Sequence, residues 1–164
     1  MLYNLEEIGD YMKNNKLKIY VIGIVLTITD FIVKFIIDNN MKLNESIIII
    51  PKFFKLYYLR NDGAAFSSFS GMKYLLIAIS VIVFIYLIKY INKNDIKNKL
   101  EIISLGLILG GLFGNLIDRI LYGEVIDYLS FTFFEYSFAV FNIADIGITV
   151  GVILFIINVL KNNN

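Results

Sequence analysis

Two residue types that dominate hydrolytic chemistry are missing from this chain, which has no cysteine and no histidine. Without cysteine there are no disulfide staples and no thiol nucleophile, and the redox compartment leaves no trace. Without histidine the commonest general base and the commonest metal ligand are gone. Neither a Ser-His-Asp nor a Cys-His arrangement can then be built. Any hydrolysis must run on Asp, Glu, Lys, Tyr, Ser or backbone groups. Charge is scarce as well: 18% of the residues are Asp, Glu, Lys or Arg, and the formal net charge is +1. Phosphate binding needs clustered Lys and Arg, so the charge pattern gives no sign of a nucleic-acid partner. Proline occurs once, at Pro51.

What fills the space is apolar. The hydrophobic share is 58% and the mean hydropathy +0.73, in a chain of 164 residues. A soluble domain is nearer half apolar and a quarter charged. A globule this small keeps much of its surface wet and cannot hide that excess. Lipid is the solvent that fits. A hydrocarbon core about 30 Å thick is crossed by roughly 20 apolar residues in a helix, and four stretches qualify: 17–37, 72–91, 100–121 and 142–160. The first carries no cleavage-site pattern after it and reads as an uncleaved span. The expected fold is a single integral membrane domain over 1–164, all-α, with four transmembrane helices.

Two long connections remain, 38–71 and 122–141. The first holds the β-branched run before Pro51, a second apolar run to Arg60, and then Asn61-Asp62-Gly63. Strand-like runs bounded by proline and an Asn/Asp/Gly turn predict a small sheet in this loop, lying on the membrane surface. The aromatics of the second loop (Phe131, Phe133, Phe134, Tyr136, Phe138 and Phe141) read as an interfacial belt. Lysines near the span ends favour both termini inside, through Lys13, Lys16 and Lys18, then Lys93, Lys97 and Lys99, then Lys161. Both long loops then face outward.

That topology gathers the unusual polar residues on one face of the membrane. Asp30 and Lys34 end the first span outside; Asn115, Asp118 and Arg119 end the third; Asn142 and Asp145 begin the fourth; Asn61 and Asp127 lie in the outer loops. Ionisable groups in spans are expensive and point to function, with partners expected. Asp30 and Lys34, four apart on a helix, can simply pair or can handle substrate. Gly106, Gly110 and Gly114 repeat every fourth residue, a close-packing pattern. Asn61-Asp62-Gly63 serves as a turn or as part of a site, and Asp118-Arg119 as an interfacial anchor or as part of a site. Asp127 and Asp145 are joined by an apolar loop between neighbouring helices, so their carboxyls can meet at the surface. Two such carboxyls share a proton and titrate as a unit. One can take a proton from water while the other polarises a carbonyl. A proton-relaying transporter would use the same pair, but it would show internal repeats and polar groups at mid-membrane. A structural subunit whose charges only pair is a third reading.

Four motifs then resemble the lipoprotein signal peptidases (type II signal peptidases, peptidase family A8). They are Asp30-Phe31-Ile32-Val33-Lys34, Asn61-Asp62-Gly63-Ala64-Ala65-Phe66, the run Gly111 to Arg119 continuing from Gly123 to Tyr128, and Phe141-Asn142-Ile143-Ala144-Asp145. The resemblance implies a bacterial cytoplasmic-membrane aspartic endopeptidase without a cofactor or metal. Its substrate would be a diacylglyceryl-modified prolipoprotein, cut just before the lipidated cysteine. By motif position Asp127 and Asp145 are the catalytic pair. Asn61, Asn115, Arg119 and Asn142 shape the site or contact substrate, and Asp30, Lys34, Gly63 and Asp118 support it. The outer loop would cradle substrate, membrane lipid and globomycin-type inhibitors are expected partners, and the protein would act as a monomer. Phe31 stands where the family usually has Gln, Tyr128 where Phe is common, and Ala139 where Pro is often found.

Overall fold

The structure, a computed structural model, describes residues 5–63, 69–134 and 136–162. Ala64, Ala65 and Phe66 of the second motif lie outside the described residues. The chain runs α1 (Leu5–Asn40), β1 (Ser46–Ile50), β2 (Phe54–Asn61), α2 (Lys73–Lys93), α3 (Lys99–Leu121), β3 (Val125–Phe133), β4 (Tyr136–Ser137) and α4 (Ile143–Asn162). All four helices are long and apolar enough to cross a membrane. The first is longer than the apolar stretch at 17–37, because polar residues at both its ends continue the same hydrogen-bonded helix.

The helices pack around α3. Over half of its apolar window (56%) is buried, against 22% or less in the others, which leave most of their side chains facing outward. Small residues make this possible. A Cβ at Gly106 would stand 2.7 Å from the Ile22 side chain, and one at Gly110 would meet the Gly23 backbone, so α1 lies directly on α3. Thr27 on α1 donates to the Gly110 carbonyl at 3.0 Å across that seam. The hydrophobic effect drives no association in lipid; close van der Waals packing of backbones and interhelical hydrogen bonds do. α3 begins at Asn98, whose side chain accepts the Leu100 N–H at 2.8 Å, and ends in a left-handed residue, Gly123 (φ +82°). Only glycine takes that conformation without strain, and it turns the chain directly into β3.

The sheet caps one end of the bundle, with the order β1-β2-β3-β4 and every neighbour antiparallel. The first long loop supplies β1 and β2 as its apolar runs predict. The second loop supplies the other half, β3 and β4, where only an aromatic belt was expected. β3 is buried on both faces from Val125 to Tyr128, so it lacks the alternation that marks a half-exposed strand. Part of the belt is internal packing: Phe131 stacks on Phe54 (4.6 Å) and on Phe141 (5.7 Å). The sheet is fastened to α1 by a cluster invisible in the sequence. Arg60 pairs with Asp38 at 2.7 Å, both hydrogen-bond Tyr58, and the guanidinium lies over Tyr122.

Candidate active site

Asp127 sits in β3 opposite Leu59, two residues along from the Asn61–Val125 pair. Side chains diagonal to each other in an antiparallel pair are within reach, and Asn61 Nδ2 donates to Asp127 Oδ2 at 2.9 Å. Asp145 lies in the first turn of α4 and closes a reciprocal cap with Asn142. The Asn142 side-chain oxygen accepts the Asp145 N–H at 2.9 Å, and Asp145 Oδ2 accepts the Asn142 N–H at 3.1 Å. This is the capping-box geometry with Asp in the acidic position. It starts α4 and aims the Asp145 carboxyl at the same time.

Asn142 also joins the two acids. Its oxygen is committed to a backbone donor, so its nitrogen must point the other way, where it donates to Asp127 Oδ1 at 2.7 Å. One fully buried residue thus holds both carboxyls. The other two asparagines are fixed by the same logic, because each has one neighbour that can only donate. Lys34 donates to Asn115 Oδ1 at 3.0 Å, which turns Asn115 Nδ2 to Asp145 Oδ1 at 2.7 Å. The Gly63 N–H donates to Asn61 Oδ1 at 3.0 Å, which turns Asn61 Nδ2 to Asp127.

Behind this layer lies a buried ion triad. Lys34 pairs with Asp30 at 2.7 Å and with Asp118 at 2.8 Å. Each acid also anchors backbone: Asp30 accepts the Ala144 N–H of α4, and Asp118 accepts the Ile126 N–H of β3. Gly114 leaves room for this, since a Cβ there would come within 2.8 Å of Asp30 Oδ2. Arg119 donates to the Gly63 carbonyl at 3.2 Å, and its charge faces Asp145, Asp127 and Asp118. The ten site residues named from the sequence (Asp30, Lys34, Asn61, Gly63, Asn115, Asp118, Arg119, Asp127, Asn142 and Asp145) are therefore in one network. Asp30 and Lys34 do pair, and the pair also reaches Asp118 and Asn115. Of the departures, Phe31 points outward from the bundle at 47% exposure, and Tyr128 is buried.

Asp127 and Asp145 face a common cavity of about 1000 Å³. Asn61, Asn115 and Arg119 share its wall, and the far side is formed by residues 137–141 and the α4 side chains Ile146, Thr149 and Val150. Those mostly apolar residues carry no chemical signature, and only a contact map could have placed them at the site. Asp127 is 2% exposed. Burial, then the neighbouring Asp145 carboxyl, raise its pKa to about 7, against the opposing pull of the Asn61 and Asn142 hydrogen bonds and the Lys34 charge. Among the described residues no three acidic side chains group as a metal site.

The family described as signal peptidase (SPase) II matches residues 22–161. The chain belongs to that family. The lipoprotein signal peptidases of Staphylococcus aureus strains JH9 and Newman are each 38% identical to it over 143 residues, covering 87% of this chain and 88% of theirs. Two solved structures of a bacterial membrane enzyme, obtained in meso at 2.3 Å and 1.9 Å resolution, superpose with TM-scores of 0.82 and 0.78. Both are 38% identical, the first covering 88% of each chain and the second 86% of this chain and 91% of its own. The protein is thus a multi-pass membrane peptidase of the lipoprotein signal peptidase family, with four membrane-spanning-capable helices and a small antiparallel sheet.

Proposed function

We propose that this peptidase removes the signal peptide from diacylglyceryl-modified bacterial prolipoproteins, cutting just before the lipidated cysteine with water activated between Asp127 and Asp145. The observation that carries this reading is the double grip of Asn142, which sets both carboxyls against one cavity. Asp145 accepts two N–H donors at the positive end of α4. Asp127 is the partner that keeps its proton to about pH 7. Asp145 takes a proton from water as the oxygen attacks the scissile carbonyl, and Asp127 donates to the developing oxyanion. When the tetrahedral intermediate collapses, the C–N bond breaks, Asp145 returns its proton to the leaving amine, and Asp127 recovers its own. Asn61, Asn115 and Asn142 orient the pair, and Arg119 balances its charge.

The lipid anchors of the substrate bring the scissile bond to a fixed depth. The signal peptide unwinds near the cut, because helical backbone has no free hydrogen-bonding groups and exposed ones in lipid need polar partners. The enzyme works as a monomer in the bacterial cytoplasmic membrane, with both termini inside and the site near the outer surface. Membrane lipid and globomycin-type inhibitors reach the same cavity. The test is a gel-shift assay on a diacylglyceryl-modified prolipoprotein with wild type, Asp127→Asn and Asp145→Asn in detergent. Active wild type and two folded, inactive variants establish both the substrate and the pair. Efficient cleavage of an unlipidated precursor removes lipid positioning from the mechanism. Intact precursor with wild type, where a relative cuts it, overturns the reading.

A further inference from the structure

The cavity that holds Asp127 and Asp145 has two unlike ends. Toward the sheet its wall carries Asn61, Asn115 and Arg119 beside the two acids. Along α4 the wall continues past Asp145 as Ile146, Ile148, Thr149 and Val150, with Thr149 the one polar side chain on that stretch. Thr149 lies four residues on from Asp145, and residues four apart share a helix face. At about 1.5 Å per residue it stands about 6 Å further along α4, away from the sheet.

The Thr149 hydroxyl is idle, and its three counterparts are not. The chain has four threonines. Thr27 donates to the Gly110 carbonyl at 3.0 Å, Thr29 donates to the Val25 carbonyl one turn back at 2.8 Å, and Thr132 bonds Ser137 at 3.3 Å. Thr149 makes no hydrogen bond among the described residues. A helical threonine can bond the carbonyl three or four residues back, as Thr29 does. An unpaired hydroxyl in apolar surroundings carries a desolvation cost, so this one needs a partner from the cavity. Ile146, Ile148 and Val150 offer none, and Ser137, the other hydroxyl on the wall, is already engaged.

We propose that Thr149 binds substrate backbone, hydrogen-bonding the peptide group that joins the third and second residues before the cut. The inference rests on the reading of Asp127 and Asp145 as a pair that cuts at the end of an unwound signal peptide. The scissile bond lies between the acids, and the signal peptide runs from there into the bilayer, along α4 and away from the sheet. An extended chain advances about 3.3 Å per residue, so an offset of about 6 Å corresponds to about two residues. Unwinding frees N–H and C=O groups that lipid cannot satisfy, and on this stretch of wall only the Thr149 hydroxyl can answer them. A hydroxyl both donates and accepts, so it serves either group of that peptide unit. The contact reads main chain and is blind to side-chain identity. Its consequence is register: it fixes how far the peptide is drawn along α4 before the bond reaches the acids.

The test is a double-mutant cycle between enzyme and substrate. The substrate is a diacylglyceryl-modified lipopeptide spanning the cut, made with the natural amide or with a backbone ester between the third and second residues before it. The ester removes the N–H and weakens the carbonyl as an acceptor. Thr149→Val keeps the side-chain shape without the hydroxyl, and Thr149→Ser keeps the hydroxyl. On the amide substrate Thr149→Val should lower kcat/KM about tenfold, and Thr149→Ser should stay within about threefold of wild type. On the ester substrate Thr149→Val should cost less than about twofold. Equal losses on amide and ester, which a general disturbance of α4 would give, overturn the proposal, and so does an undiminished rate on the amide. Wild type that leaves the amide lipopeptide intact overturns the cleavage reading itself, and this inference falls with it.

Discussion

Replacing Asn61 with alanine removes one of the two amide donors that stabilise ionised Asp127, the contact being 2.9 Å. The Asn142 donor at 2.7 Å remains. A hydrogen bond to a charged group contributes about 1.5–3 kcal/mol, and one pKa unit corresponds to about 1.36 kcal/mol. The full range is therefore roughly one to two units, and half-buried Asn61 lets water replace part of the bond, so the lower end applies. The sign follows from what is bonded: the amide favours the charged carboxylate, so its loss lets Asp127 hold its proton to higher pH. If Asp127 acts as the acid, kcat/KM of wild type falls as pH rises through about 7. In Asn61→Ala that limb shifts up to about 8, below a reduced maximum, because the Gly63 turn is also lost. Asn61→Asp moves the limb further, because a like charge adds to the missing donor. The assay is cleavage of a lipid-modified precursor in detergent from pH 5.5 to about 9.5, the span needed to bracket both limbs. A limb that stays put or moves down in either variant, or a wild-type profile flat across neutrality, refutes Asp127 as the titrating acid.

Asp127→Asn should raise Tm in detergent at pH 8 and raise it by well under half as much at pH 5, where only about 1.6 kcal/mol of the penalty has developed. A carboxyl whose pKa rises from 3.8 to about 7 on folding contributes its stability below 3.8 and loses it progressively up to 7, a penalty of up to about 4 kcal/mol by linkage. Equal Tm shifts at the two pH values would count against a buried proton. Lys34→Met leaves Asp30 and Asp118 buried without their cation and should cost about 3–5 kcal/mol. Adding Asp30→Asn and Asp118→Asn to it should recover much of the lost Tm, and no recovery would show that the triad is not held by charge. Gly106→Ala and Gly114→Ala each force a Cβ into contact below 3 Å, and overpacking of this kind costs about 1–3 kcal/mol. Only Gly114→Ala pushes on Asp30, so only it should lower kcat per folded molecule; equal kcat losses would refute the distinction.

The four helices are legible because each must match the bilayer with an unbroken apolar run, a demand that leaves little freedom in composition. The polar site is legible for the complementary reason: Asp30, Lys34, Asn115, Asp118 and Asn142 are conspicuous where nearly every neighbour is apolar. The sheet is half legible. β1 and β2 are bounded by Pro51 and by the Asn61-Asp62-Gly63 turn, whereas β3 is buried on both faces and reads as one more apolar stretch. The Asp38–Tyr58–Arg60 fastening and the cavity wall at 137–141 depend on pairings between segments far apart in the chain. No local periodicity encodes such pairings. The glycines show the same divide. The repeat of Gly106, Gly110 and Gly114 announces close packing, but not that Gly114 serves a carboxylate while the other two serve α1.

The supporting residues and the two central acids form one electrostatic problem. Lys34 answers Asp30 and Asp118, and Arg119 faces Asp145 and Asp127. Four carboxyls against two cations would be two negative charges in excess if all were ionised. One shared proton reduces the excess to one, and the positive end of α4 offsets about half a charge more. A second ionisation would stand uncompensated next to Asp127, which is 2% exposed. The site therefore admits one proton for structural reasons, before any substrate arrives. The same cation decides where that proton is useful: by claiming Asn115 Oδ1, Lys34 turns the Asn115 amide toward Asp145, and Asn142, turned by its own cap, directs its amide toward Asp127. A lysine that touches neither acid of the pair thus helps set both the proton count and the aim of the groups that carry it.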